Sequence, residues 1–146
     1  MPEAVAAEHP IEVVWKGDRL YAGGSSGGPV LELDGDRQSA ASPVEAVLVA
    51  LGSCAAIDVV DILKKRRTPP SSLRVRLNFA RAADPPRRLT AVRVTFHIAT
   101  DSERPHVERA IRLSFDKYCS VASSLAADLV LTWELELSPA EVAATE

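Results

Sequence analysis

The stretch Ser42-Pro43-Val44-Glu45-Ala46-Val47-Leu48-Val49-Ala50-Leu51-Gly52-Ser53-Cys54-Ala55-Ala56-Ile57-Asp58-Val59-Val60-Asp61-Ile62-Leu63-Lys64-Lys65-Arg66-Arg67 decides the fold. Ser42 is a good N-cap, Pro43 suits the first helical position, and Glu45 completes a Ser-x-x-Glu capping box. Lys64 to Arg67 crowd the end where the helix dipole is negative. Thr68-Pro69-Pro70 then stops the helix. At about 1.5 Å per residue, a helix over 42–67 spans roughly 36 Å. No charge occurs between Ala46 and Ile57. A helix apolar all round must be surrounded on all sides. A chain of 146 residues can hardly do this alone, so the pattern predicts a second subunit over the far face.

Upstream, Ile11-Glu12-Val13-Val14-Trp15, Arg19-Leu20-Tyr21-Ala22 and Val30-Leu31-Glu32-Leu33 read as three short strands of a meander over 11–36, after a loose N-terminal tail. The cluster Gly23-Gly24-Ser25-Ser26-Gly27-Gly28-Pro29 is expected to be a flexible hairpin loop. A phosphate cradle needs a helix directly after its glycines, and a β-like run follows here. Downstream, Leu73, Val75, Leu77 and Phe79 alternate with polar residues, as do Val92, Val94, Phe96 and Ile98. This period of two puts one face on a core and one in water, as in antiparallel sheet. His97 falls on the polar face and reads as plain surface. A second helix is expected over 102–118, with Val107, Ala110, Ile111, Ser114, Phe115 and Tyr118 inward. A short helix, a last strand with Leu129, Leu131, Trp133, Leu135 and Leu137 on one face, and an exposed tail from Ser138 complete the chain. The expected class is α+β, an antiparallel sheet packed on two long helices in one domain, 1–146, whose second half, 72–137, is β-β-α-β.

The composition excludes several functions. With 17 Lys and Arg against 20 Asp and Glu, the net charge of −3 argues against capture of nucleic acid or an anionic membrane. No stretch is expected to reach the roughly 20 apolar residues of a membrane span. The N-terminus lacks the cationic and apolar regions of an export signal, so a cytoplasmic location is the default expectation. His9, His97 and His106 are scattered, and none lies at ligand spacing from a cysteine, so neither a metal nor another bound cofactor is expected.

Two thiols remain, Cys54 and Cys119. Cys54 falls near the middle of the buried helix, away from the activating termini. Cys119 precedes a helix N-terminus with Lys117 nearby, and both features favour a thiolate. From the residues alone, either thiol could be an inert core residue, since free cysteine is among the most buried residue types. Asp58 and Asp61 lie within roughly 40° of Cys54 on the helix wheel. Asp61 is expected to pair with Lys65. Asp58 interrupts an apolar run and needs a partner or a site.

Ser42-Pro43-Val44-Glu45 with Leu51-Gly52-Ser53-Cys54-Ala55-Ala56-Ile57-Asp58-Val59-Val60 and Ile62-Leu63-Lys64-Lys65 resembles the central helix of the OsmC/Ohr family. Arg109-Ala110-Ile111-Arg112-Leu113-Ser114 with Lys117-Tyr118-Cys119-Ser120-Val121 resembles its second cysteine motif. The details of both are most similar to the YhfA-like branch. The resemblance implies an intertwined homodimer with two sites at the subunit interface. It also implies that Cys54 attacks an organic or inorganic hydroperoxide. Cys119 then resolves the sulfenic acid to a disulfide, and an external dithiol reduces it.

The family's peroxidases carry a glutamate directly after the helix-opening proline, paired with an N-terminal arginine. Val44 stands at that position here. Glu45 is one residue late and points away from Cys54, and Arg19 is the candidate arginine, with Asp58 as a replacement carboxylate. The alternative reading is a dimeric redox sensor, or a binder of a small hydrophobic molecule, with little turnover.

Overall fold

A computed structural model describes residues 10–142. The expected loose N-terminal tail and the last four residues of the expected C-terminal tail lie outside them. The chain divides into two compact units, one ending at Val47 and the other beginning at Leu48. The expected meander makes up most of the first unit. The expected β-β-α-β half and most of the central helix make up the second.

In the first unit β1 (Ile11–Gly17), β2 (Leu20–Ser25) and β3 (Leu31–Asp34) form an antiparallel sheet in the order β1-β2-β3. Two of the clustered glycines belong to β2 and not to a loop: Gly23 pairs with Val13 and Leu31, and Gly24 with Glu12. A Cβ at Gly24 would collide with the Pro29 carbonyl, so the missing side chain is what lets the neighbouring strand approach. The turn that follows closes with Gly27 at φ +78 and the Gly28 amide donating to the Ser25 carbonyl at 2.8 Å. A strand follows it, as the hairpin reading requires. Ile11, Val13, Trp15, Val30 and Leu31 of this unit are all exposed in the single chain.

The second unit holds β4 (Ser72–Arg81), β5 (Leu89–Ala99) and β6 (Val130–Ser138), with β5 central. The antiparallel expectation holds for β4 with β5 and not for β5 with β6, which run parallel. The reason is the connection. A helical crossover stands between β5 and β6, and a crossover returns the chain in the same direction. That crossover is α2 (Arg104–Leu113), a π-helical turn (Ser114–Tyr118) and α3 (Ser120–Ser124), where one helix over 102–118 was expected. Tyr118, expected inward, is half exposed at the end of the π turn.

The central helix, α1 (Pro43–Lys65), has the expected capping box. The Glu45 amide donates to Ser42 Oγ at 3.2 Å, and the Ser42 amide to Glu45 Oε1 at 3.0 Å. Within the second unit, Leu48, Leu51, Ala55, Val59 and Leu63 of α1 pack with Val92, Val94, Phe96 and Ile98 of β5 and Val107, Ala110 and Ile111 of α2. Phe96 and Phe115 meet edge to face at 6.1 Å. At 23 residues α1 is long and apolar enough to cross a membrane, contrary to the expectation from the sequence. Its fully buried stripe, Leu51, Ala55, Val59 and Leu63, packs it as a core helix. The opposite stripe is bare: Val49 is 63% exposed and Ile57 61%.

Asp34 closes β3 and organises the loop toward α1. Its carboxylate accepts the amides of Asp36, Gln38 and Ser39 at 2.8, 2.9 and 2.9 Å, and the Ser39 hydroxyl at 3.2 Å. These donors, Ser39 and Asp36 first, hold its carboxyl down at about 2. A lowered folded-state value means the stabilisation is complete above the ordinary 3.8 and is lost as pH falls through about 2. Asp34→Asn is therefore expected to lower the thermal midpoint at neutral pH and to flatten its decline between about pH 4 and about pH 2. Circular dichroism melts check this, and an unchanged acid-side slope contradicts it.

Candidate functional site

Helix periodicity puts Cys54 on the flank of the buried stripe of α1, half-buried, with Asp58 one turn further along. Gly52 precedes the thiol. A Cβ there would stand 2.9 Å from Leu77 Cδ1, so α1 lies close against β4 at this turn. The same stripe that anchors the helix therefore fixes the direction in which Cys54 points.

Cys119 reaches the same place by a different route. After α2 the chain widens into the π turn, where the Cys119 amide donates to the Ser114 carbonyl five residues back at 2.7 Å. Cys119 then caps α3, accepting the Ala122 amide on its sulfur at 3.4 Å. Its side chain is 1% exposed. Ser114, also fully buried, donates its hydroxyl to Asp58 Oδ2 at 2.8 Å, with the Ala55 carbonyl at 3.4 Å. This is the partner that Asp58 required.

The two thiols are neighbours. Both cysteines are free, and Cys54 lies close enough to Cys119 to help raise its thiol. Burial pushes the Cys119 thiol above its ordinary value, and the neighbouring Cys54 adds to the rise; the Ala122 amide opposes it. The sequence placed Cys119 at a helix N-terminus beside Lys117 and read both as favouring a thiolate. The position is right and the consequence is not. Removing the thiol from water outweighs the Ala122 and Val121 amides of a helix of five residues. Lys117 instead lies over the Tyr118 ring, 5.3 Å from its centroid. A thiol raised in this way keeps its proton at neutral pH.

The remaining candidates divide by unit. In the first, Glu45 is occupied by its cap and by Arg37 Nε at 2.8 Å; the Ser42 amide, then Arg37, hold its carboxyl below the usual range. Arg19 pairs with Asp36 at 2.9 Å and donates to the Gly35 carbonyl at 3.3 Å. In the second, Asp61 is exposed and forms no ion pair with Lys65 among the described residues. His97, read as plain surface, is partly buried, with Nδ1 2.8 Å from Glu136 across the parallel pair. No cluster of three or more metal-ligating side chains occurs among the described residues. Ser114 is the member that the sequence reading missed. It was placed on the inward stripe of its helix, but its bond to Asp58 was not inferred. The available signal was one buried hydroxyl among apolar neighbours and one carboxylate in an apolar run on another helix.

An α+β fold that brings two reduced thiols together, one on a core helix and one after a π turn, defines a paired-thiol protein. The chain belongs to the OsmC-like family, whose model matches residues 34–134. It is 37% identical over 127 residues to Protein YhfA of Escherichia coli K12, covering 86% of this chain and 95% of that one. A structural-genomics structure superposes with a TM-score of 0.81 at 35% identity, over 90% of this chain and 99% of the other. An organic hydroperoxide resistance protein OsmC from Legionella pneumophila shares the fold, with a TM-score of 0.62 and 13% identity over 92% and 99% of the two chains.

Burial and a raised thiol both slow Cys119 toward electrophiles. Iodoacetamide at about pH 8 is expected to alkylate Cys54 at least about tenfold faster than Cys119. Peptide mapping of the native protein reads this ratio, and preferential labelling of Cys119 contradicts the assignment.

Proposed function

We propose that this protein reduces organic or inorganic hydroperoxides through Cys54 and Cys119, acting as a homodimer in the cytoplasm and recycled by an external dithiol. The observation that carries the reading is the contact between a half-buried Cys54 and a fully buried, proton-retaining Cys119. An attacking sulfur must be reachable by substrate, and a resolving sulfur must wait close by with its proton. The Cys54 thiolate attacks the terminal oxygen of R–O–OH, the O–O bond breaks, and the departing alkoxide takes a proton to leave as ROH. Cys54 then carries the sulfenic acid. Cys119 attacks that sulfur, its thiol proton leaves with the hydroxide as water, and a Cys54–Cys119 disulfide forms. The dithiol returns two electrons and two protons. No bound cofactor takes part.

A fold shared with a protein named for organic hydroperoxide resistance supports this assignment. Val44 at the position of the family glutamate bears on rate more than on route, because the two thiols are neighbours without it. The homodimer is supported by the bare stripe of α1. Covering Val49 and Ile57 contributes about 1.5–3 kcal/mol for each side chain fully buried.

Two outcomes follow. Cys54→Ser is expected to abolish hydroperoxide consumption in a dithiol-coupled assay, whereas Cys119→Ser retains the first turnover and overoxidises. Wild-type consumption by Cys54→Ser, or an unchanged thiol count after excess cumene hydroperoxide, contradicts the assignment. Ile57→Glu is expected to shift the protein from dimer to monomer in light scattering. A wild type that is already monomeric overturns the dimer.

A further inference from the structure

Ser114 stands where the two halves of the thiol site join. Its hydroxyl reaches α1 at Asp58 Oδ2, 2.8 Å away, beside the Ala55 carbonyl at 3.4 Å. Its carbonyl holds the Cys119 amide at 2.7 Å. Asp58 lies one turn from Cys54, and Ala55 is its immediate neighbour. A closed ring therefore runs from Cys54 along one turn of α1 to Asp58, through the Ser114 side chain to the Ser114 carbonyl, to the Cys119 backbone, and back through the contact between the thiols. The π turn is what closes this ring. A regular α-helix would give the Ser114 carbonyl to residue 118; the wider turn gives it to Cys119.

We propose that Ser114 and Asp58 are a positioning pair that holds Cys119 against Cys54, so that a leaving group placed on Cys54 is displaced by Cys119 faster than by solvent or a second oxidant. The proposal takes its cysteine roles from the hydroperoxide reading, but the positioning needs no hydroperoxide. Neither residue touches the reacting atoms. Their effect is to keep a buried thiol within reach, and loss of the pair leaves Cys54 able to react but slow to close. A buried hydroxyl and a buried-side carboxylate bond also cost more to leave unmade than an exposed pair, which is why the clamp can hold a short, otherwise weak α3 in place.

Ellman's reagent tests this without a peroxide. The Cys54 thiolate attacks the reagent's disulfide and releases one thionitrobenzoate, leaving a mixed disulfide on Cys54. Cys119 then attacks the Cys54 sulfur, releases the second thionitrobenzoate and forms the intramolecular disulfide. Ser114→Ala and Asp58→Ala are expected to keep the first release within about twofold of wild type and to slow the second by about tenfold to a hundredfold, the range for a lost hydrogen bond to a carboxylate. Asp58→Asn keeps an acceptor oxygen and is expected to restore closure to within about threefold. A purely structural role would slow both releases together and would not be rescued by Asp58→Asn; thermal melts identify any variant that fails to fold. Closure at the wild-type rate in both alanine variants overturns the pair, as does a wild type with no second release. A wild type that closes rapidly, loses closure in the alanine variants and yet ignores cumene hydroperoxide upholds the positioning pair and refutes the peroxidase reading.

Discussion

The contact between the Cys54 and Cys119 thiols is the constraint on which the site depends. Two segments far apart in sequence must converge on it. One is a core helix whose buried stripe, Leu51, Ala55, Val59 and Leu63, fixes its rotation. The other is a crossover whose π turn and short α3 deliver Cys119 to the same point. Burial decides the division of labour. Cys119 sits out of water with its thiol raised, and Cys54, half-buried on the flank of its helix, is the sulfur nearer to solvent.

The helix that carries Cys54 is apolar on every side, and the second unit buries only one stripe of it. The same economy appears in the N-terminal sheet, whose Ile11, Val13, Trp15 and Leu31 are exposed in the single chain. Contiguous apolar surface of this kind marks an interaction site. Under the homodimer proposed above, a second copy of the chain covers the bare stripe of α1.

Much of this was legible in the sequence where one local rule dominates. The capping box at Ser42 and Glu45, the proline stop and the period-two strands each rest on a few neighbouring residues, and each stands in the structure. What the sequence misread involves competition between distant groups. Gly23 and Gly24 read as loop until the approach of the Pro29 segment gives them a reason to be strand. Cys119 read as activated because helix termini are visible in sequence and burial is not. The parallel direction of β6 follows from a crossover that the alternation of Leu131, Trp133 and Leu135 cannot reveal, since either direction gives the same alternation. Asp58 shows in the sequence as a carboxylate that needs a partner, but nothing local names Ser114, on a different helix, as that partner.

Peptide mapping of the oxidised protein tests the central claim most directly. The reduced protein would be treated with one equivalent of cumene hydroperoxide per chain, alkylated and digested under conditions that prevent disulfide exchange. The account predicts a single cross-link joining the Cys54 peptide to the Cys119 peptide within one chain, formed in step with loss of both thiols. A sulfinic acid on Cys54 with Cys119 still free, or a cross-link between two Cys54 peptides, would contradict it.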